Sequence, residues 1–419
     1  MYQTYKLSSF NIQVTFMTRY FNIFSFCIAL FAMTNLPCYS QTANKKVSFE
    51  FYDKIFNLQF DSSVIIDAPD SLSAKSVKAF YSKLNTGNYQ PVIDTLNSYK
   101  TRHQLNDWLY YQLVRQVAQQ ISPKAENYTR YTLYKWFLMG KTGYDTRLAI
   151  ANNSLVFYVL NDEDIADLPY FIIDNKKYTT LNYHDLGNMD LHKNLPIPIT
   201  LTVAGAINAF SYKVTRMPDF KPQDYYIKQV KFDYKDKSYN FNIKLNANVD
   251  RLFTNYPVVD FESYFNIPMS KETYNSIIPY ISKNIMGMSQ TDGVDYLMRF
   301  TRNAFLYEDD ARNFGKEKRL SPEGTLSSNY SDCDDRAALF FYLVKEIYDL
   351  PMIAVLYPTH INIAVQFSKP IGRQVVYNGK SYSVCEPTPQ MKELNIGEVA
   401  DNVQNAAYQV VYNYVPGNK

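Results

Sequence analysis

Two stretches of the chain, 205 residues apart, carry the same succession of patterns. Residues 128–159 slide onto 333–364 without a gap, helical period on helical period and apolar strand on apolar strand, with Leu138 on Leu343 and Ala149 on Ala354. A shift of 204 then lays residues 174–178 on 378–382. Few positions are identical, but the constant order of elements argues for a duplicated helix-and-strand unit. In this alignment Cys333 faces Tyr128, His360 faces Leu155 and Glu386 faces Asn182. The first copy is therefore expected to lack the groups that nucleophilic chemistry needs.

A chain of 419 residues has room for two or three domains, because single cores stop growing at roughly 250 to 300 residues. The pattern divides it into an N-terminal α+β domain over 41–192, a β-rich module over 193–262 and a C-terminal α+β domain over 263–419. Helical periods run through 77–84, 105–121 and 128–139, and again through 271–286 and 293–305. The stretch 196–250 reads as strands throughout, with a polar turn at 235–238, and predicts a sandwich-like module. Residues 309–329 read as a loop.

The first 40 residues have the layout of a secretory signal: Arg19, an apolar stretch over 20–33, and Pro37-Cys38-Tyr39-Ser40 before a polar run. That stretch falls short of the ~18 to 20 residues a membrane span requires. Met17 is a candidate start, and cleavage after Ser40 would send the chain to the periplasm or cell surface without a stable span. It would also remove Cys27 and Cys38 and leave Cys333 and Cys385. Pro37 before Cys38, in place of a small residue, argues against lipid attachment there. A net charge of +3 gives no field that would favour nucleic acid. The 38 tyrosines and 27 phenylalanines suit sheets and aromatic surfaces facing peptide or sugar.

The chemistry concentrates at Tyr330-Ser331-Asp332-Cys333-Asp334-Asp335-Arg336. Ser331 as N-cap, with Asp334 three residues on, predicts that Cys333 lies in the first turn of a helix. Unpaired amides there favour an anion and lower a thiol's pKa, while Asp332, Asp334 and Asp335 oppose it. An imidazolium partner would tip the balance toward thiolate. The pattern supplies one: residues 352–356 are a buried strand, and His360 then opens a second strand on the polar side with Asn362, Ala364 and Gln366. Asn378-Gly379 marks a hairpin turn, and the following strand ends in Cys385-Glu386-Pro387-Thr388. Glu386 is the candidate that orients the imidazole. Whether the chain returns to His360 depends on residues 368–374, which read equally as loop or strand.

These three ordered pieces, about a hundred residues in all, resemble the core of the transglutaminase-like superfamily of papain-related cysteine enzymes. The whole chain is similar to exported transglutaminase-domain proteins of Bacteroidetes-type bacteria. Glu386 stands where that family has aspartate in an Asp-Pro-Thr motif. The resemblance implies a papain-like α+β fold, with acyl transfer through a thioester at Cys333, His360 as acid and base, and Glu386 behind it. It implies a peptide or protein substrate, cell-wall and glycan-linked ones included, and neither cofactor nor metal.

Two further readings stand beside the hydrolase. One is a peptide- or glycan-binding protein with a vestigial triad, the other a transamidase that passes the acyl group to an amine. A Cys333–Cys385 disulfide is disfavoured, because alternation sets Cys385 on the opposite strand face from Glu386. His103, His184 and His192 have no comparable setting. The acidic runs 162–164 and 308–310 lack calcium-loop spacing.

Overall fold

The computed structural model describes residues 44–187, 189–308, 318–401 and 403–417. The expected signal segment, with Cys27 and Cys38, and Asp309 and Asp310 of the second acidic run lie outside the described residues. From Lys45 onward the chain forms one compact unit, mixed in α and β.

A hairpin of β1 (Asn44–Phe51) and β2 (Lys54–Asp61) leads into four helices: α1 (Ala74–Thr86), α2 (Gln90–His103), α3 (Asp107–Ile121) and α4 (Tyr128–Lys141). Asn127 caps α4, its side chain accepting from the Arg130 amide at 2.8 Å. Strands β3 (Thr146–Ala151), β4 (Ser154–Leu160), β5 (Tyr170–Ile173), β6 (Lys176–Thr180) and β7 (Ile197–Pro198) then form a sheet in the order β5-β6-β4-β3-β7.

The middle of the chain departs from the expected sandwich. Among the described residues it holds one long hairpin, β8 (Tyr225–Tyr234) with β9 (Lys237–Asn246), followed by the short α5 (Asn248–Leu252). The hairpin buries Val230, Phe232 and Tyr234 with Phe241, Ile243 and Leu245. After α6 (Phe261–Phe265) come α7 (Lys271–Asn284) and α8 (Gln290–Asn303), and these helices cover the hairpin's apolar face. Alternation of apolar and polar residues says that one face is covered but not by what, so helices in place of a second sheet leave the same sequence pattern.

The C-terminal part continues with β10 (Leu306–Tyr307), α9 (Pro322–Ser327), which falls inside the expected loop, and β11 (Tyr330–Ser331). Then come α10 (Cys333–Tyr348), β12 (Met352–Tyr357), β13 (His360–Val365), β14 (Gln374–Tyr377), β15 (Lys380–Cys385) and β16 (Gln409–Tyr414). The strand order is β14-β15-β13-β12-β16. Taken element by element, that is the order of the first sheet.

The ladders agree as well. Tyr158 pairs with Thr180 in the first sheet, and Ala364 with Val384 in the second. Two-residue turns close both central hairpins, between Ala151 and Ser154 and between Tyr357 and His360. Here the offset is 206 rather than 205, so His360 corresponds to Ser154 and not to Leu155. Glu386 still corresponds to Asn182 and Cys333 to Tyr128. One main core runs the length of the unit, and each sheet carries a small second core on its far face, Ala149, Val156 and Tyr158 in one and Val355, Ala364 and Val384 in the other.

Helix α10 lies at the centre of the C-terminal core. Every residue from Ala337 to Val344 is buried, which is why its apolar residues run all round the helix.

Candidate active site around Cys333, His360 and Glu386

Cys333 is the first residue of α10, and Asp332 is its N-cap, the Asp332 carboxylate accepting from the Asp335 amide at 3.1 Å. Ser331, the expected cap, instead ends β11, paired with Tyr307. The helix start is fixed from below by Arg336. Its buried guanidinium donates to the carbonyls of Thr301 (2.9 Å) and Arg302 (2.7 Å) in the last turn of α8, to that of Phe305 (3.0 Å) just beyond the helix, and to the carbonyl of Ser331. The carbonyls of Thr301 and Arg302 fall in the last turn, where a helix offers no amide partner, so one side chain satisfies a helix end while tying α8 to the turn that carries the thiol.

Glu386 follows the last residue of β15. It sits beside His360 because residues 374–385 form the β14–β15 hairpin and β15 pairs with β13. His360 Nε2 lies 2.8 Å from Glu386 Oε2. A carboxylate oxygen accepts, so Nε2 is the donor and Nδ1 is the ring nitrogen left over. The other oxygen, Oε1, accepts from the Thr388 amide at 2.9 Å. Pro387 has no amide to offer, so the Glu-Pro-Thr run returns a bond to its own carboxylate two residues back. The Glu386 backbone carbonyl is held by Arg302 of α8, through Nε at 3.1 Å and through Nη2. Glu386 is fully buried. Asn362 completes the group, its amide 2.8 Å from both Glu386 Oε2 and His360 Nε2.

Burial alone would lower the pKa of His360. The hydrogen bond and charge of Glu386, helped by Asn362 and by the charge of Asp334, outweigh it and raise the pKa. The ring therefore keeps its proton to a higher pH than a free imidazole does, and above that pH it is a neutral base.

The thiol is poised differently. Cys333 is part-exposed and its Sγ contacts Asp334 Oδ1 at 3.5 Å. Burial raises its pKa strongly, and the charges of Asp334 and Asp332 and the Asp334 hydrogen bond add to that, against a backbone hydrogen bond with Ile361 that lowers it. The carboxylates, with burial, therefore prevail over the helix terminus, and the resting sulfur is a thiol. Among the described residues Sγ has no hydrogen bond to His360. It meets β13 at Ile361, one residue along from the imidazole. Asp334 itself pairs with Arg319 Nε at 3.3 Å.

Cys385 is fully buried and, like Cys333, a free thiol. Its neighbours are the apolar residues of the main core. Among the described residues no group of three or more His, Cys, Asp or Glu side chains is arranged to hold a metal ion. No helix among them is long and apolar enough to cross a membrane. Clefts of about 480 Å³ beside Phe220 and Tyr226 and about 580 Å³ beside Asn266 and Tyr412 lie away from the three residues.

The sequence points to Cys333, His360 and Glu386, and the fold joins the last two directly. It does not signal Arg302, whose 84-residue separation from Glu386 leaves no local pattern. Asn362 has a signal, its two-residue spacing from His360 on one strand face. Compared with known proteins, the chain matches no family model and has no significant match among curated proteins or solved structures.

Proposed function

We propose that the protein is an exported cysteine-dependent acyl-transfer enzyme that hydrolyses peptide or related amide bonds through a thioester at Cys333. The observation that carries this reading is the part-buried His360–Glu386 pair at 2.8 Å, with His360 opening the strand that the Cys333 sulfur also touches. A part-buried imidazole backed by a carboxylate, its second nitrogen without a hydrogen bond among the described residues, is a device for moving a proton.

In this reaction Nδ1 of neutral His360 takes the thiol proton as Sγ attacks the amide carbonyl carbon. Because Asp334 and burial keep the sulfur protonated at rest, the transfer accompanies attack rather than preceding it. The first-turn amides of α10 are suited to the oxyanion. The imidazolium returns its proton to the leaving amine as the C–N bond breaks, leaving the thioester. Water, deprotonated by His360, then releases the acid and frees the thiol. An amine in place of water would make the same site a transamidase.

The protonated resting thiol and its Asp334 contact favour a second reading, a peptide- or glycan-binding protein whose triad no longer turns over. An electrophilic amide-mimicking probe with site mapping separates the two. The enzyme reading expects covalent labelling at Cys333, lost in Cys333→Ala and reduced at least ~100-fold in His360→Ala. Labelling only elsewhere, or ligand binding without turnover that Cys333→Ala leaves intact, would overturn it.

A further inference from the structure

The β13–β15 ladder ends at Ile363↔Cys385, so Glu386 lies one residue beyond the last pair. Pro387 follows and has no amide with which to carry a ladder on. The carboxylate of Glu386 is occupied by His360 and by the Thr388 amide. Its N-terminal counterpart is held differently, the Asn182 side chain itself binding the Phe157 amide and the Leu155 carbonyl. The Glu386 carbonyl is instead held from α8. Arg302 Nε, at 3.1 Å, and Arg302 Nη2 are the two donors of one guanidinium edge, and both converge on that oxygen. Nη1 donates to the Leu394 carbonyl and to Glu393 Oε1, each at 2.9 Å. Arg302 is buried, where a guanidinium is costly unless its donors are met in this way. Its backbone is fixed in turn: Arg336, three residues along the helix that starts at Cys333, donates to the Arg302 carbonyl at 2.7 Å. Two buried guanidiniums thus join the helix that carries the thiol to the strand end that carries the carboxylate.

We propose that Arg302 is a positioning residue whose fork fixes the Glu386 backbone, and through it the point at which the carboxylate meets His360. Joined to Arg336, it also keeps that pair in register with Cys333. The consequence for acyl transfer rests on Cys333 being the nucleophile, but the effect on His360 does not. The charged groups facing Arg302 are Glu393, Glu386 and Arg299, and those facing His360 are Glu386 and Asp334.

Arg302→Lys is the decisive variant, because it keeps the positive charge and removes the planar fork. Proton NMR of the histidine rings gives the titration midpoint of His360, identified by the signal lost in His360→Gln. In Arg302→Lys that midpoint should fall by about 0.5 to 1 on the pH scale, the worth of one weakened hydrogen bond. Covalent labelling of Cys333 by an amide-mimicking electrophile should slow by about 10-fold. In a Glu386→Gln background the same substitution should leave the midpoint where Glu386→Gln alone puts it. A midpoint that does not move in the folded variant, or that falls equally with and without Glu386, would overturn the proposal, since a role confined to stability leaves His360 as it is. Should the variant not fold, the wild type decides: Arg302 Nε–H, whose acceptor is the Glu386 carbonyl, should be protected from solvent exchange, and free exchange would refute the assignment. A fall at His360 without slower labelling would uphold the positioning role and count against Cys333 as the nucleophile, so the two readings fail differently.

Discussion

Asn182 Nδ2 donates to the Tyr128 hydroxyl at 2.8 Å, joining the two residues that stand in the N-terminal half where Glu386 and Cys333 stand in the C-terminal half. A phenol and an amide here close the helix start onto the strand end. Asn182 also accepts from the Phe157 amide at 2.8 Å and donates to the Leu155 carbonyl at 3.0 Å, extending the ladder by one residue. The bonds are structural, which sets the first expected outcome. Asn182→Ala should lower unfolding free energy by about 2 to 4 kcal/mol, because it strands buried backbone groups. Cys333 alkylation in the folded variant should be unchanged. Urea unfolding and an alkylation time course measure both, and a slowed Cys333 would mean the two halves are coupled.

The thiol's protonation is set by its neighbours in a way that one substitution reverses. After burial, the charge of Asp334 is the next cause of the raised pKa, and Asp334→Asn removes that charge while keeping an oxygen that can accept from the S–H. The thiolate curve should move to lower pH by about 0.5 to 1, so alkylation by iodoacetamide at a fixed pH near 8 should quicken by about threefold to tenfold. A pH profile of the rate tests this. A profile that stays in place would assign the raised pKa to burial alone.

His360 has its pKa raised by folding, so its linkage runs in one direction. Its contribution to stability is full below the unfolded value near 6.5 and is lost as pH rises through the higher folded value. Glu386→Gln removes the charge that holds the imidazolium. The stability gap between wild type and variant should therefore be larger at pH 6, by about 1.5 to 3 kcal/mol, than at pH 9. Denaturant midpoints across that range give the answer, and a gap independent of pH would show that Glu386 supports packing rather than the ring's charge.

What the sequence makes legible follows from which signals are local. The helix from Cys333, the strand from His360 and the turn at Asn378-Gly379 each announce themselves within a few residues, and they stand in the structure. The cap lies one residue further on because Ser331 is committed to β11, a pairing with residues 306–307 that no nearby residue reveals. The stretch 193–262 departs from the expected sandwich because period-two alternation cannot distinguish a covering sheet from the covering helices α7 and α8. The juxtaposition of Glu386 with His360 requires β14 and β15 to fold back, and residues 368–374 carry no pattern that decides it. Buried polar anchors such as Arg302 and Arg336 act on backbone carbonyls, which every sequence has, so nothing in the chain marks their targets.

Lys135 carries the last expected outcome. It lies on α4 in the N-terminal half with its side chain fully buried and Nζ 3.7 Å from Asp185 Oδ2. Burial lowers its pKa to about 7, and Arg115 and Lys124 add to that against the attraction of Asp185. The unfolded chain therefore holds a proton between pH 7 and about 10 that the folded chain releases, so stability falls as pH drops through that range and levels off below 7. Asp185 keeps Lys124 at 2.5 Å when Lys135 is replaced, so it is not left alone. Lys135→Met, close in volume and uncharged, should then stabilise the protein by about 1 to 4 kcal/mol at pH 6, with the gain shrinking above pH 7 and gone beyond about 10. Urea midpoints at pH 6 and pH 9 read this directly. A gain equal at both would place its origin in packing, and a loss at pH 6 would mean that the buried ammonium is better paired than its 3.7 Å separation from Asp185 implies.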